Sequence, residues 1–369
     1  MIERGESVAM RTLCTLVLLA AAVAVAGGTP AGTAAPPESL EILGAWHCSS
    51  DACLWGAERA PADFDYANHW LVDRGDGRPS VNLVVLSFVN PLRLLRGTTD
   101  SATLDGVPRG MTQDVVDYFT SKGVRVMLSI GGITYVKDWN QALAEDPALL
   151  GRKVAALAQS LGVGIEIDYE ENRSPDLEGL EAFVEAFRAE IPYDAAGANP
   201  AARLTIDLAA GDRWLIGITR KATAEWLTAP NPVLDYANAM VPNKQPTASA
   251  AIAHWQEHVD GKPQYDPPIL PLAPAKFTGS LYLAGAAKPR PECVNFAKSL
   301  QKATGDFVRN VQPNGAGTTG GMLGFMFWAA ERASSRGLTT APPNTCEGGV
   351  GAAATQYGVP VPMAPLRQS

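Results

Sequence analysis

The chain has 369 residues, of which 46% are hydrophobic and 18% are charged, and its formal net charge at pH 7 is -8. This composition is that of an ordinary globular protein, long enough for a domain with a large core. The acidic balance and the lack of a Lys/Arg cluster in the sequence argue against nucleic acid or an anionic membrane as a partner.

The N-terminal segment has the pattern of a secretory signal peptide, which we predict over residues 1–26. Arg11 precedes an apolar run that is short for a membrane span and ends in the small-x-small sequence AVA. An uncleaved membrane anchor is the alternative. Residues 27–37 (GGTPAGTAAPP) predict a flexible lead-in. The protein is therefore expected to be secreted and extracellular, with no membrane contact once the signal is removed.

Short apolar runs alternate with amphipathic helical patterns along the rest of the chain. Strands are predicted at Glu41–Trp46, Val81–Val89, Val124–Ile130, Gly164–Glu170, Leu204–Ala209, Tyr236–Val241, Phe277–Leu283 and Leu323–Trp328. Helices are predicted at Thr112–Ser121, Leu149–Ser160, Leu177–Ile191, Ser249–His258 and Val294–Ala303. Eight strands alternating with helices predict the α/β fold class and a single-domain (β/α)8 TIM barrel over residues 38–346.

A doubly wound open sheet is the alternative fold. Such a sheet usually carries a Gly-rich phosphate loop after its first strand, whereas this chain continues there with WHCSS. Residues 347–369, rich in Gly, Ala and Pro, predict a loosely held tail.

Four cysteines lie beyond the predicted signal peptide: Cys48, Cys53, Cys293 and Cys346. An even number of cysteines in an exported chain predicts two disulfides, for which three pairings are possible. The spacing favours Cys48–Cys53 as a small loop and Cys293–Cys346 as a link to the tail. A zinc site is the alternative, and the lack of a C-x-x-C motif disfavours it.

The fourth predicted strand carries acidic residues at alternate positions, Glu166, Asp168 and Glu170. Side chains two apart in a strand share a face, so the three carboxyl groups are expected to point the same way. Ile165, Ile167 and Tyr169 alternate with them, which favours an interior strand over a solvated one. Clustered carboxyl groups raise one another's pKa and are typical of acid–base chemistry or of metal binding.

A barrel places its active site at the C-terminal ends of the strands. This rule puts Glu170 at the mouth and the other two acidic residues progressively deeper. The third predicted strand ends in the sequence SIGG, Ser129 to Gly132, where a glycine pair permits close backbone approach. The eighth strand ends at Trp328, which is placed to stack on a sugar ring or to pack in the core. Trp46 at the end of the first strand has the same two alternatives.

Together these features resemble glycoside hydrolase family 18, the chitinases and endo-β-N-acetylglucosaminidases. The family's fourth-strand pattern DGxDxDxE corresponds to VGIEIDYE here, with Val163 and Glu166 in place of two Asp residues. The family's third-strand SxGG motif and eighth-strand Trp correspond to Ser129, Gly131, Gly132 and Trp328.

The resemblance implies a substrate-assisted, retaining mechanism that needs no metal or other cofactor. It implies that Glu170 is the general acid and base, that Asp168 orients the substrate's 2-acetamido group, and that Glu166 trades a proton or hydrogen bond with Asp168. The substrate-binding residues expected beside them are Trp328, Asn243, Tyr169, Trp46, Asp207 and Met240.

The sixth strand departs from the family pattern. The family often has M-x-Y-D or M-x-Y-N there, whereas this chain has Met240-Val241-Pro242-Asn243. A proline therefore stands where the family's Tyr hydroxyl holds the acetamido carbonyl, and Asp207 and Tyr282 are the candidates to replace that hydroxyl.

Three functions remain open from the sequence. The first is a secreted hydrolase of β-1,4 bonds next to N-acetylglucosamine, acting as a monomer on chitin, chitooligosaccharides or another N-acetylglucosamine-containing glycan. The second is a catalytically weak or silent sugar-binding protein on the same barrel, a lectin or inhibitor. The third is a metal-dependent barrel enzyme with the three fourth-strand carboxylates as oxygen ligands.

Overall fold

The eight predicted strands form a closed parallel barrel in the computed structural model, which describes residues 42–49, 60–73, 79, 81–209, 214–228, 232–240, 248–282 and 322–328. The strands are β1 (Ile42–Cys48), β2 (Leu83–Val89), β3 (Arg125–Gly131), β4 (Gly164–Asp168), β5 (Leu204–Ala209), β6 (Ala237–Met240), β7 (Phe277–Tyr282) and β8 (Gly324–Trp328). Each strand pairs in parallel with its neighbour in the chain, and β1 also pairs with β8. The predicted (β/α)8 barrel is confirmed.

Helices surround the barrel in the part of the chain that the structure describes. They are α1 (Pro61–Asn68), α2 (Pro91–Arg96), α3 (Gln113–Thr120), α4 (Val136–Glu145), α5 (Pro147–Leu161), α6 (Leu177–Glu190), α7 (Ile216–Lys221) and α8 (Ala248–Asp260). A π-helical turn, Ala222–Trp226, follows α7, and a two-stranded ribbon of Thr103–Leu104 and Val107–Pro108 lies between α2 and α3. None of the described helices is long and apolar enough to cross a membrane.

The α6 helix follows directly from its sequence. The Asp176 side chain accepts a hydrogen bond of 2.9 Å from the Gly179 amide, and so caps the helix start. Its apolar residues recur at helical spacing and form one buried stripe, namely Leu180, Phe183, Val184 and Phe187. This stripe covers the outer surface of the barrel, where the apolar face of β4 lies.

Two apolar cores hold the strands in place. The larger one lies between the barrel and its helices. The smaller one consists mainly of alternate strand residues: Ile42, Trp46, Leu83, Val85, Met127, Tyr236, Leu323 and Met326, with Trp328 packed against it. Because strand residues two apart share a face, this smaller core fills the barrel interior. The carboxyl groups of the fourth strand lie on the C-terminal side of this core.

Two strands end two residues away from their predicted last residue. The β1 strand continues to Cys48, two residues past its predicted end, because it pairs with β2 as far as Ser87. The β4 strand stops at Asp168 instead of Glu170, because its last pairing partner on β3 is Gly131.

Several predictions fall outside the described residues and stay predictions. These are the signal peptide at 1–26, the lead-in at 27–37, the helix at 294–303 and the tail at 347–369. The two predicted disulfides also stay predictions, because Cys53, Cys293, Cys346 and the side chain of Cys48 are not described.

Candidate active site

The acidic residues of β4 lie at successive depths inside the barrel. Glu166 is opposite Ser129 on β3, and Asp168 is opposite Gly131. Glu166 and Asp168 are 0% and 3% exposed, whereas Glu170, two residues beyond the strand, is only partly buried. The structure therefore brings the three carboxyl groups together in the order that the strand alternation predicts, with Glu170 nearest the solvent.

The glycine pair after β3 allows the ends of β3 and β4 to touch. Gly131 has φ of 124°, and a Cβ there would lie 2.0 Å from the Asp168 carbonyl oxygen. The Gly132 amide donates to that same oxygen at 2.9 Å. The indole N–H of Trp139 on α4 donates to it as well, and also to the Ile130 carbonyl, each at 3.2 Å. These contacts fix the backbone from which Asp168 and Glu170 project.

Glu166 is held by hydrogen-bond donors on both carboxylate oxygens. The Trp46 indole N–H donates to Oε1 at 2.8 Å, and the Asn238 amide donates to Oε2 at 2.5 Å. The Ser129 hydroxyl also favours the ionised form of Glu166, although it makes no hydrogen bond of good geometry with any described residue. Burial raises the pKa of Glu166 above its usual range, and these donors only partly oppose the rise.

Glu166 also interacts with Asp207 on β5, which lies beside it inside the barrel. Burial is the largest cause of the raised pKa of both residues, and a hydrogen bond between the two carboxyl groups favours the ionised form of Glu166 and the neutral form of Asp207. Asp168 interacts with Glu166 through charge. The expectation that Glu166 trades a proton or hydrogen bond with Asp168 stays a prediction.

Burial dominates the electrostatics of the deeper acids. It raises the pKa of Asp168 well above its usual range, and the negative charges of Glu170 and Glu166 raise it further. The pKa of Asp207 is raised for the same reasons, burial first and then the charges of its three acidic neighbours. One oxygen of Asp168 and one of Asp207 are buried with no hydrogen-bond partner among the described residues. Both oxygens can accept a donor supplied by a ligand.

Glu170 has the electrostatics of a general acid. Burial raises its pKa to about 7, and a hydrogen bond from the Ile133 amide partly opposes the rise. Ile133 begins the short helical turn Ile133–Tyr135 that leads into α4. A carboxyl group with a pKa near neutrality can both release and take up a proton at physiological pH.

Two aromatic rings lie near each other at the barrel mouth. Trp328, the last residue of β8, is partly exposed, and its ring centroid is 5.5 Å from that of Phe88 on β2. The Phe88 ring also lies close to Gly132, where a Cβ would be 3.1 Å from it. An exposed Trp face at this position is suited to the apolar face of a sugar ring.

Two of the expected substrate contacts have other roles in the structure. Tyr169 faces outward and is 1% exposed; its hydroxyl donates to Asn140 at 2.5 Å and accepts from the Asp176 amide at 3.1 Å. Alternation along β4 turns it away from the carboxyl groups. Trp46 is 4% exposed inside the barrel, and its N–H is bound to Glu166. Both predictions of sugar contact are corrected accordingly.

The other expected contacts are placed as follows. Asp207 lies inside the barrel beside Glu166, and Met240 ends β6 in a partly buried position. Asn243 and Pro242 lie outside the described residues. In the part of the chain that the structure describes, the carboxyl groups do not form a metal-binding group of three or more.

Sequence reasoning missed Asn238, Phe88 and the structural part played by Trp139. Asn238 is an isolated amide in the apolar run YANAMV, and this unusual polar residue is the signal that could have found it. Phe88 follows Ser87 near the end of the second strand, where an aromatic residue next to the barrel mouth could have been noted. For Trp139 the sequence holds no signal, because its bonds reach backbone atoms of two strands.

Comparison with known proteins gives a match in structure alone. No family model matches the chain, and no curated protein matches it in sequence. A GH18 chitinase from Pseudoalteromonas aurantia superposes with a TM-score of 0.51 at 14% identity, covering 78% of this chain and 94% of that one. The chain has a chitinase-like (β/α)8 fold.

Two further solved structures align over similar lengths. A mutant of a class V chitinase from Nicotiana tobaccum, in complex with NAG4, has a TM-score of 0.47 at 13% identity and covers 86% of this chain and 99% of that one. An endo-beta-N-acetylglucosaminidase from Cordyceps militaris has a TM-score of 0.46 at 13% identity, with coverages of 86% and 91%.

Proposed function

We propose that the chain is a secreted glycoside hydrolase that cleaves β-1,4 bonds next to N-acetylglucosamine by a substrate-assisted, retaining mechanism. The observation that carries the proposal is the graded carboxyl cluster at the barrel mouth. Glu170, with its pKa raised to about 7, lies outermost, and the buried Asp168, with one free acceptor oxygen, lies behind it. A chitinase-like barrel is the fold on which this arrangement is expected.

In the first half of the reaction Glu170 gives its proton to the glycosidic oxygen as the bond to the anomeric carbon breaks. The carbonyl oxygen of the substrate's own 2-acetamido group forms the new bond to that carbon, which yields an oxazolinium ion. Asp168 accepts a hydrogen bond from the acetamido N–H and faces the positive charge that develops on the oxazolinium ion. In the second half Glu170 takes a proton from water, and the water oxygen opens the oxazolinium ion with net retention.

The role of Asp168 depends on its surroundings. Burial and the charges of Glu170 and Glu166 raise its pKa, so its surroundings oppose its ionisation before a substrate binds. A developing cation next to it favours the ionised form, so stabilisation by Asp168 is stronger in the transition state than in the ground state. Such a differential interaction accelerates the chemical step, whereas equal binding of both states does not.

A silent sugar-binding protein is the second candidate. The observation that favours it is Pro242, which cannot supply the hydroxyl of the family's sixth-strand Tyr. Against it stands Glu170, whose raised pKa of about 7 suits a general acid. Asp207, whose pKa is also raised, is a candidate to donate in place of the missing hydroxyl.

The test is incubation of the protein with tetra-N-acetylchitotetraose and with cellotetraose, followed by mass spectrometry. The proposal expects shorter products from the first sugar only, because cellotetraose lacks the acetamido nucleophile. Calorimetric binding of tetra-N-acetylchitotetraose without any products would support the silent binding protein. Cleavage of both sugars would contradict substrate assistance.

A further inference from the structure

A chain of buried polar residues runs from β7 to the base of the acidic cluster. Thr278 on β7 lies opposite Asn238 on β6, which lies opposite Asp207 on β5. The Thr278 hydroxyl donates to Asn238 Oδ1 at 2.6 Å, and Asn238 Nδ2 donates to Glu166 Oε2 at 2.5 Å. Asn238, Thr278 and Glu166 are each no more than 1% exposed.

The donors around Glu166 favour its ionised form. The indole N–H of Trp46 can only donate, so Glu166 accepts at Oε1. The Thr278 hydroxyl donates to the amide oxygen of Asn238, and the NH2 end of that amide faces Glu166. Glu166 accepts at both oxygens in this arrangement, which stabilises the carboxylate.

We propose that Asn238, oriented by Thr278, is a positioning residue that stabilises the ionised form of Glu166 at the base of the acidic cluster. The effect on catalysis rests on the proposed function, whereas the hydrogen bonds of Asn238 do not depend on it. The negative charge of an ionised Glu166 lies below Asp168 and opposes the ionisation of Asp168.

The remaining groups around Glu166 agree with this assignment. Asp168 and Asp207 share the acidic cluster. Tyr236, directly before β6, lies deeper in the barrel, where Arg125 and Arg203 act on it. Glu170 lies farther out, at the mouth. The β2, β7 and β8 strands contain no Asp, Glu, Lys or Arg, and His47 of β1 alternates with Trp46 and so lies on the other face of that strand.

The experiment compares wild type with Asn238→Leu, Thr278→Val and the double variant. Loss of the amide donor makes Glu166 easier to protonate. The acid limb of the pH profile of kcat/KM for a fluorogenic chitooligosaccharide is therefore expected to move to higher pH by about one to two units in Asn238→Leu. Thr278→Val is expected to move the acid limb in the same direction by a smaller amount. The double variant is expected to have the same acid limb as Asn238→Leu alone.

Ser280→Ala is the matched control. Ser280 is also a buried β7 hydroxyl, but it donates to the Ala239 carbonyl and not to the chain that reaches Glu166. The acid limb of kcat/KM for Ser280→Ala is expected at the same pH as for wild type. If Asn238→Leu lowers kcat/KM by the same factor at every pH, Asn238 merely supports the fold and the inference is overturned.

A second readout does not depend on activity. The donors on Glu166 stabilise only its ionised form, so the loss of unfolding free energy in Asn238→Leu is expected to grow as pH rises from 4 toward 8. A loss that is the same at both ends of that range would overturn the inference. If wild type turned over no chitooligosaccharide, the proposed function would fail, but this measurement would still decide the role of Asn238.

Discussion

The indole N–H of Trp46 donates a 2.8 Å hydrogen bond to Glu166 across 120 residues of sequence. This bond joins the first and fourth strands inside the barrel, below the carboxyl groups that face the mouth. It places an aromatic residue of the first strand in the support of the acidic cluster instead of on the sugar-binding surface.

Replacing Trp46 with Phe removes this donor and keeps most of the apolar volume. A hydrogen bond to a charged group contributes about 1.5–3 kcal/mol, so we expect unfolding free energy at pH 8 to fall by about that amount. We also expect the acid limb of kcat/KM to move to higher pH. Denaturant unfolding and a pH–rate profile measure the two effects.

Trp226→Phe is the control for this change. Its indole N–H donates to Glu181 at 2.8 Å, the same pair of groups at the same distance, but among the outer helices. It is expected to leave the acid limb unchanged. An equal shift in both variants would show that the effect of Trp46 is not local to the cluster.

Gly131→Ala is expected to be severely destabilising, by about 3 kcal/mol or more. The new Cβ would meet two atoms that cannot easily move, the Asp168 carbonyl oxygen and the Trp139 indole nitrogen, at 2.0 and 2.2 Å. Gly162 also has a positive φ, of 65°, but no atom lies within 4 Å of the Cβ that Gly162→Ala would add. Its expected cost is only about 1–2 kcal/mol. Similar losses of thermal stability in the two variants would refute the steric account.

The raised pKa of Glu170 predicts that kcat/KM falls as pH rises through about 7, because the acid must be protonated to act. The same raised pKa has a consequence for stability. The folded state binds the proton more tightly than the unfolded chain, so the contribution of Glu170 is full below pH 4.5 and is lost as pH rises to about 7. Glu170→Gln should flatten that part of the stability–pH curve. A curve identical to that of wild type would show that Glu170 titrates normally.

Tyr169→Phe separates the two roles considered for Tyr169. Loss of its hydroxyl removes the bonds to Asn140 and to the Asp176 amide, and is expected to reduce unfolding free energy by about 1–3 kcal/mol. KM for a chitooligosaccharide is expected to stay within about twofold of wild type. A large rise in KM with unchanged stability would restore Tyr169 as a sugar contact.

The sequence predicted the barrel because each strand is a short apolar run between helical patterns, and local periodicity is enough to show that. It also predicted the depth order of Glu166, Asp168 and Glu170, which follows from alternation along one strand. Alternation alone would also have placed Tyr169 on the outer face.

The partners of each carboxyl group could not be predicted in this way. Glu166 bonds to Trp46 and Asn238, which lie 120 and 72 residues away, and which strands face each other across the barrel depends on its register and closure. The substitution of Glu for the family's Asp was visible in the sequence. The direction of the Glu166 side chain, toward β5 and β6 instead of toward Asp168, could be seen only once the positions of the neighbouring strands were known.

The most direct test of the account compares Glu170→Gln with Glu171→Gln on tetra-N-acetylchitotetraose, with products followed by mass spectrometry. Glu171 is the next residue, and backbone amides after it lower its pKa, so it is a matched carboxylate without the electrostatics of an acid. We expect Glu170→Gln to lose about 100- to 10,000-fold in rate and Glu171→Gln to cleave like wild type. Cleavage by Glu170→Gln at the wild-type rate would contradict the assignment of Glu170 as the acid.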